Sequence, residues 1–220
     1  IQVHPDDEMA RKKHNGYGKT EMWYVISAEK GAQLISGFNQ EMDQETYLKH
    51  LNNSTLPDIL NHENVQSGDV FYLPAGRVHA IGAGILLAEI QQTSDITYRI
   101  YDWDRVGSDG KPRELHTDLA LEAMDFKYYG QYRTEYQSKR NEASQLVQCN
   151  YFTTNLLELT RPMQGDLIEL DSFIAYMCLD GKVEIIYNEN DSIVFEKGET
   201  LLVPASVEHL AYKPEPHAKL

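Results

Sequence analysis

Short apolar runs bounded by turn-forming residues dominate the hydrophobic pattern of the chain. They cover residues 22–26, 33–35, 70–73 and 85–90 in the first half, and 152–159, 173–179, 183–187 and 199–203 in the second. Runs of this length that are rich in β-branched and aromatic residues predict β-strands. Helical spacing of apolar positions is confined to residues 44–60 and 115–126. The pattern therefore predicts an all-β fold, a sandwich or barrel, with a few helices inserted.

One segment of the sequence recurs 130 residues later. Residues 68–79 read GDVFYLPAGRVH and residues 198–209 read GETLLVPASVEH, so a glycine, an acid, a Pro-Ala pair and a histidine recur in the same order. The alternative is chance similarity between two hairpins, because Gly and Pro punctuate any β-protein. The number of matching residue types in twelve positions favours duplication.

The repeat and a polar stretch without periodicity, residues 132–145, predict the domain organisation. We expect a first β-barrel over residues 1–112 with a helical insertion near residues 44–60. A helical or irregular connector should cover residues 113–144, and a second, degenerate barrel residues 145–220. The second copy keeps His209, but residues 153–157 and 171–175 offer no second imidazole, so we expect that barrel to hold no metal.

Composition excludes several classes of protein. The 220 residues carry a net charge of −14 and no long basic run, which argues against a nucleic-acid partner. No run of about 18 apolar residues is present, so no membrane span or membrane partner is expected. The two cysteines, Cys149 and Cys178, lack metal-ligand spacing and fit a reducing cytoplasm. The chain begins at Ile1 without an initiator Met, so we expect residues upstream of it.

Candidate metal ligands are the residues Gln2, His4, Glu21 and His79. Gln2 and His4 are two positions apart, so in a strand they share one face. Two imidazoles, a carboxylate and an amide oxygen suit a divalent first-row metal, with zinc as the default. The alternatives are that His4 belongs to a turn before Pro5 and that Glu21 is a surface strand residue. The Pro-x-Gly context of His79 is the more specific signal.

Three charged residues accompany these candidates. Lys19 lies two positions before Glu21, and Glu89 and Arg99 flank a polar segment that follows a predicted strand. Near a metal, a buried carboxylate and two cations are suited to proton transfer. The alternative is that these residues form surface ion pairs, which contribute little to stability.

Four separated motifs together resemble the type I, cupin-class mannose-6-phosphate isomerases. They are IQVHPD at residues 1–6, GKTEM at 18–22, PAGRVHA at 74–80 and TSDITYR at 93–99. The run YRIYDWDR at 98–105, followed by RELH at 113–116, is similar to the short bacterial branch. The resemblance spans essentially the whole chain and implies a bicupin of two jelly-roll β-barrels. It also implies that N-terminal strands of the first barrel are missing here.

The same resemblance assigns roles residue by residue. It places zinc ligands on Gln2, His4, Glu21 and His79, and the active-site lysine and arginine on Lys19 and Arg99. A carboxylate implicated in proton transfer in the eukaryotic branch falls on Glu89. One departure is Ile81, which stands where longer relatives carry a tyrosine.

The expected function is therefore zinc-dependent interconversion of mannose 6-phosphate and fructose 6-phosphate through an enediol. The partner would be a small-molecule sugar phosphate, and the chain would be a cytoplasmic monomer or weak homo-oligomer. One alternative is a non-catalytic bicupin that binds a metal or a sugar. Another is a cupin iron oxygenase, because two histidines and a carboxylate also form the facial triad of that class. A fourth ligand at Gln2 and the charged residues around it argue against the oxygenase.

Overall fold

Strands make up most of the regular structure in the computed structural model, which describes residues 1–103, 105–107, 110–188 and 191–220. The first eight strands are β1 (Gln2–Val3), β2 (Glu21–Ala28), β3 (Gln33–Phe38), β4 (Leu60–Asn64), β5 (Val70–Leu73), β6 (His79–Ile81), β7 (Ile85–Gln91) and β8 (Tyr98–Arg99). The others are β9 (Ala143–Gln148), β10 (Thr153–Leu159), β11 (Met163–Asp166), β12 (Ile174–Met177), β13 (Asp180–Ile186), β14 (Ser192–Glu196), β15 (Thr200–Val203) and β16 (His209–Lys219). The α-helices in the described residues are α1 (Asp7–His14), α2 (Gln44–Asn52) and α3 (Thr117–Ala123). The prediction of a mostly β protein with few helices is confirmed.

The helices differ from the predicted ones for local reasons. The predicted helix over residues 44–60 ends at Asn52, and a 3₁₀ turn (Leu56–Ile59) with Pro57 near its start leads directly into β4. Helix α1 was not predicted, because Met9 and Ala10 are its buried residues and make no apolar stripe. Its start is marked instead by Asp6, whose carboxylate accepts the Met9 N–H at 2.8 Å as an N-cap.

The first compact unit comprises residues 1–135 and 149–152 and contains two antiparallel sheets. One sheet has the strand order β4-β3-β6-β1-β8 and the other has the order β5-β2-β7. An apolar cluster draws side chains from both sheets, so the sheets pack against each other: Trp23, Val25, Leu34, Phe71 and Leu73. The candidate site lies among strands of both sheets.

Alternation along the short strand β1 separates the two faces of the five-stranded sheet. Val3 and its partner Tyr98 on β8 belong to a core cluster that includes residues of α2 and α3. Gln2, one position earlier, therefore points to the opposite face, as the period of two in a strand requires. The helices cover one face of this sheet and leave the other for the polar site.

The second compact unit comprises residues 136–148 and 153–220. It contains a larger antiparallel sheet with the order β14-β13-β16-β10-β9, in which β11 also pairs with β16, and a two-stranded sheet of β12 and β15. Its core is a separate cluster built mainly on Leu159, Val183, Ile185, Phe195 and Leu210. The predicted domain limits at residues 112 and 145, and the jelly-roll arrangement of each barrel, stay predictions.

The two copies of the repeated segment have matching local structure. Gly68 and Gly198 have φ angles of 92° and 93°, a conformation that favours glycine. Strands β5 and β15 follow at the same offset, and β6 and β16 each begin at the histidine. In both turns an N–H three residues after the proline donates to the proline carbonyl at 3.1 Å. The repeat seen in the sequence is therefore also a repeat of backbone structure.

Candidate metal centre

The register of the five-stranded sheet aligns four side chains in one row. Gln2 on β1 lies opposite His79 on β6 and opposite Arg99 on β8, and His79 lies opposite Ser36 on β3. Directly opposed residues of antiparallel strands present their side chains on the same face. Ser36, His79, Gln2 and Arg99 therefore form a row across four strands of the sheet.

A tight turn after β5 delivers His79 and also anchors His4. The Gly76 N–H donates to the carbonyl of His4 at 2.9 Å, and the Gly76 carbonyl accepts the Asp125 N–H at 2.9 Å. Gly76 has a φ of +86°, and a Cβ there would lie 2.8 Å from the carbonyl oxygen of Ala123. The glycine of the Pro-Ala-Gly motif is therefore required sterically, because a side chain at this position would push apart the backbone segments that meet at the turn.

His4, Glu21 and His79 form a buried cluster whose ligand atoms all lie within 4.8 Å of one another. His79 Nε2 is 3.0 Å from Glu21 Oε1, and His4 Nε2 is 3.6 Å from Glu21 Oε2. The two imidazole rings are tilted by 45° with centroids 4.9 Å apart. Both imidazoles thus turn the same nitrogen toward the carboxylate between them.

The outer nitrogens of the two rings fix their tautomers. Nδ1 of His79 lies 2.8 Å from the Arg77 carbonyl, and Nδ1 of His4 lies 2.9 Å from the Ile96 carbonyl. Because a carbonyl only accepts, each Nδ1 carries a proton, and Nε2 is the ring nitrogen that each imidazole turns inward. A backbone partner on the outer nitrogen is the usual arrangement of a metal-binding histidine.

The charge states of the cluster follow from its burial and its neighbours. Burial and the adjacent His79 lower the pKa of His4 to about 3, which keeps its imidazole neutral at pH 7. Burial acts to raise the pKa of Glu21, but the two imidazoles and the Lys19 ammonium outweigh burial and lower it to about 2. The cluster thus pairs an ionised carboxylate with at least one neutral imidazole.

These residues fit a divalent metal ion. Glu21 Oε1 is completely buried and has no hydrogen-bond partner, although His79 Nε2 is only 3.0 Å away. A buried oxygen without a partner is costly, and a bound cation would supply that partner. Gln2 Nε2 is 3.0 Å from His79 Nε2, and a half-turn of the amide would place its oxygen there as a fourth donor.

Lys19 and Glu89 lie beside this cluster. Lys19 Nζ is 2.5 Å from Glu21 Oε2, 3.4 Å from His4 Nε2 and 3.5 Å from Glu89 Oε1. The Lys19 side chain is buried, whereas that of Glu89 is 31% exposed. The structure therefore brings both residues to the cluster, with Glu89 on the side that solvent reaches.

Arg99 stands in the row opposite Gln2, and no hydrogen bond or ion pair joins it to His4, Glu21 or His79. Its guanidinium donates to the Glu114 carbonyl at 3.1 Å, and its backbone N–H donates to Nδ1 of His116 at 3.1 Å. The alternative for Arg99 was a surface ion pair, and Asp102, three positions later, is a nearby carboxylate. In the described residues Asp102 instead pairs with Arg105 and Arg113, each at 2.5 Å.

Trp23 and Ser36 also belong to the site, and sequence reasoning missed both. The fully buried Trp23 donates its indole N–H to Glu89 Oε2 at 2.8 Å, and its ring meets His79 edge-on with centroids 5.3 Å apart. Ser36 is also fully buried, and its hydroxyl has no hydrogen-bond partner. A polar residue inside the apolar run of β3 was the available signal for Ser36.

Fold and site together define an antiparallel β protein with a buried centre suited to a divalent metal. A search against models of known protein families found no match. The chain is 35% identical over 207 residues to the mannose-6-phosphate isomerase ManA of Bacillus subtilis, covering 93% of this chain and 64% of that protein. It is 30% identical over 208 residues to the mannose-6-phosphate isomerase of Streptococcus mutans, covering 94% of this chain and 65% of that protein.

A solved structure extends the similarity to three dimensions. The mannose 6-phosphate isomerase from Bacillus subtilis superposes with a TM-score of 0.89 at 30% identity, covering all of this chain and 69% of that one. The chain therefore belongs to the mannose-6-phosphate isomerase family. It spans about 64% of the length of the first of these curated relatives. None of the described helices is both long and apolar enough to cross a membrane.

Proposed function

We propose that this chain carries the metal centre of a zinc-dependent aldose–ketose isomerase that interconverts mannose 6-phosphate and fructose 6-phosphate. The observation that carries the proposal is the buried His4–Glu21–His79 cluster with its unpartnered carboxylate oxygen and the adjacent Lys19. The choice of substrate is supported by the relatives described above, which are named mannose-6-phosphate isomerases. We also propose the bicupin architecture, supported by the two matching strand–turn–histidine segments.

The metal would be held by the Nε2 atoms of His4 and His79 and by the Glu21 carboxylate, with the Gln2 amide oxygen as a weaker fourth ligand. When bound, zinc supplies Lewis acidity that polarises the sugar oxygens. Lys19, already donating to Glu21, adds a positive charge on the same side. That charge would favour the negative oxygen of an enediolate and help an acidic chain to accept a sugar phosphate.

The reaction needs one group that moves a proton between two carbons. The base takes the proton from C2 of the aldose, the resulting enediolate receives a proton at C1, and the hydroxyl proton passes from O2 to O1. Lys19 and Glu89 are both candidates for this base. The geometry favours Glu89, because Lys19 donates to Glu21 while Glu89 Oε1 faces Lys19 and the side chain is partly exposed.

Arg99 is proposed to hold an anionic oxygen of the substrate. Its place opposite Gln2 puts it on the face that carries His79 and Gln2. A guanidinium stays charged at every working pH and holds oxygens in a fixed fork, so it suits charge stabilisation rather than proton abstraction. Free Cys149 and Cys178 support a cytoplasmic location, and we infer a monomer or weak homo-oligomer.

A coupled assay with mannose 6-phosphate, combined with metal analysis of the same sample, tests this proposal. We expect about one zinc per chain, loss of isomerase activity after chelation, and recovery when zinc is returned. Bound zinc without activity would favour a metal-binding protein that is not an enzyme. Bound iron in place of zinc would favour an oxygenase, and either outcome would contradict the proposed function.

A further inference from the structure

A buried arginine stands next to the metal centre without a carboxylate to neutralise it. Arg77 is 7% exposed, and no carboxylate forms an ion pair with it within the described part of the chain. Its guanidinium lies instead over the rings of Tyr129 and Tyr132, 4.5 Å and 4.6 Å from their centroids. Two aromatic faces around one desolvated guanidinium form a strong cation–π arrangement. This arginine with its two tyrosines is called the Arg77 clamp below.

Both tyrosines of the clamp are themselves held in place. The Tyr132 hydroxyl donates to the carbonyl of Phe38 at 2.9 Å and accepts the Phe38 N–H at 3.2 Å. The adjacent Gly37 has a φ of +72°, and a Cβ there would come within 2.3 Å of the Tyr132 ring. The Tyr129 hydroxyl donates to Asp125 Oδ2 at 2.7 Å. The clamp is therefore a fixed support rather than a loose surface contact.

The backbone of Arg77 connects the clamp to the metal centre. Its carbonyl accepts the Nδ1 proton of His79 at 2.8 Å, and this bond selects the tautomer that presents Nε2 to Glu21. The neighbouring Gly76 holds the carbonyl of His4. A rotation of the Arg77 backbone would change the orientation of the His79 imidazole directly. It would also disturb the backbone of His4, which is bonded to the neighbouring Gly76.

The second copy of the turn shows that the turn itself does not require an arginine. Val207 stands at the matching position, and its N–H makes the same 3.1 Å bond to the proline carbonyl that Arg77 makes in the first copy. There the histidine, His209, is 68% exposed and lies 4.0 Å from Asp166. The arginine is therefore present in the copy whose histidine is buried and oriented, and absent from the copy whose histidine is exposed, although both copies form the turn.

We propose that Arg77 is a positioning residue of the metal centre: clamped between Tyr129 and Tyr132, it holds its carbonyl on Nδ1 of His79 and thereby directs Nε2 at the metal. This inference rests on the proposed function, because it assumes that the centre binds zinc. Partners that orient a metal-binding histidine typically change metal affinity by about 10–100-fold. The clamp acts through such a partner, so an effect in this range is expected.

The test compares Arg77→Met with Arg133→Met. Arg133 is a matched control, because its guanidinium also lies over an aromatic ring, that of Phe71 at 5.8 Å, in the same unit, and it pairs with Glu63. Zinc affinity is measured by competition with a chelating dye, and melting temperature is measured on the same samples. We expect Arg77→Met to bind zinc about 10-fold more weakly or worse. Arg133→Met should have a lower melting temperature and the native zinc affinity.

A second measurement reads the tautomer without any metal. Long-range ¹H–¹⁵N spectra of the metal-free chain should show His79 protonated on Nδ1 in the native sequence and as a mixture of tautomers in Arg77→Met. If Arg77→Met melts lower but keeps native zinc affinity and the Nδ1 tautomer, Arg77 is merely structural and the inference is wrong. If the native chain binds no zinc, the proposed function fails, while the tautomer comparison still decides the role of Arg77.

A milder pair of variants covers the case in which Arg77→Met does not fold. Tyr129 is 44% exposed, so Tyr129→Leu should fold while removing one face of the clamp. Tyr129→Phe keeps the ring and loses only the hydroxyl that donates to Asp125. We expect weaker zinc binding for Tyr129→Leu and near-native binding for Tyr129→Phe. Equal zinc affinities in these two variants would overturn the role of the clamp.

Discussion

His79 and His209 occupy the same place in two copies of one turn, and the structure surrounds them differently. His79 is 1% exposed and faces Glu21 at 3.0 Å, with Gln2 and His4 beside it. His209 is 68% exposed, with Asp166 4.0 Å away. The backbone of the turn thus offers a histidine in both copies. The neighbouring strands and the orientation of the ring decide whether that histidine belongs to a candidate metal centre.

The largest expected effect comes from removing each histidine in turn. His79→Ala deletes one of three clustered donors, so zinc affinity should fall more than 100-fold, beyond the range of outer partners. His209→Ala should leave both zinc content and isomerase activity at the native level. Zinc per chain is measured after gel filtration and compared with activity. An equal loss of bound zinc in the two variants would show that the two histidines do not differ in metal binding.

Arg99 provides the next largest effect. Arg99→Ala should lower kcat by about 100-fold while zinc content stays native, a size typical of removing one charge-stabilising group. Arg113→Ala is the control, because Arg113 pairs with Asp102 and its loss should lower melting temperature instead. If Arg99→Ala only melts at a lower temperature, the arginine supports the fold through Glu114 and our assignment is wrong.

Trp23 gives a smaller effect that reports on Glu89. Trp23→Phe removes the N–H that holds Glu89 Oε2, and hydrogen bonds to charged groups contribute about 1.5–3 kcal/mol. We therefore expect kcat to fall about 10-fold, with KM and zinc content little changed. Trp103→Phe, at an exposed position, should behave as the native chain. If Trp23→Phe keeps the native kcat, the proposed role of Glu89 as the base is wrong.

Ser36 gives the smallest effect and separates folding from function. Its buried hydroxyl has no partner, and such a group costs about 1–3 kcal/mol. Ser36→Ala should therefore raise the free energy of unfolding of the metal-free chain by about 1 kcal/mol. Denaturant unfolding of the chelated native chain and variant measures this difference. A less stable variant would show that the hydroxyl does have a stabilising partner in solution.

The sequence predicted the elements that have local signals and missed those that depend on pairing across strands. The strands of both repeat copies and the turn that presents His79 follow from the short apolar runs and the Pro-Ala-Gly motif. The alternation of Gln2 and His4 predicted that the two side chains share one strand face, although β1 ends at Val3 and His4 follows it. Helix α1 was missed because it buries too few apolar residues to produce a helical period.

Cross-strand register and distant contacts explain the site residues that were missed. Trp23 reaches Glu89 because the two residues are opposed between β2 and β7, a pairing that no local pattern reveals. Ser36 joins the row through its register with His79. Arg77 meets its two tyrosines more than 50 residues later in the chain, in a segment predicted only as a connector. Local sequence patterns carry no information on such distances.

Anomalous diffraction at the zinc edge, from crystals of the chain grown with zinc, shows whether His4, Glu21 and His79 hold the metal. We expect one strong peak enclosed by His4 Nε2, His79 Nε2 and the Glu21 carboxylate, with both imidazoles still donating from Nδ1 to backbone carbonyls. A peak at His209, or zinc bound elsewhere while the side chains of His4, Glu21 and His79 turn away from one another, would contradict this expectation.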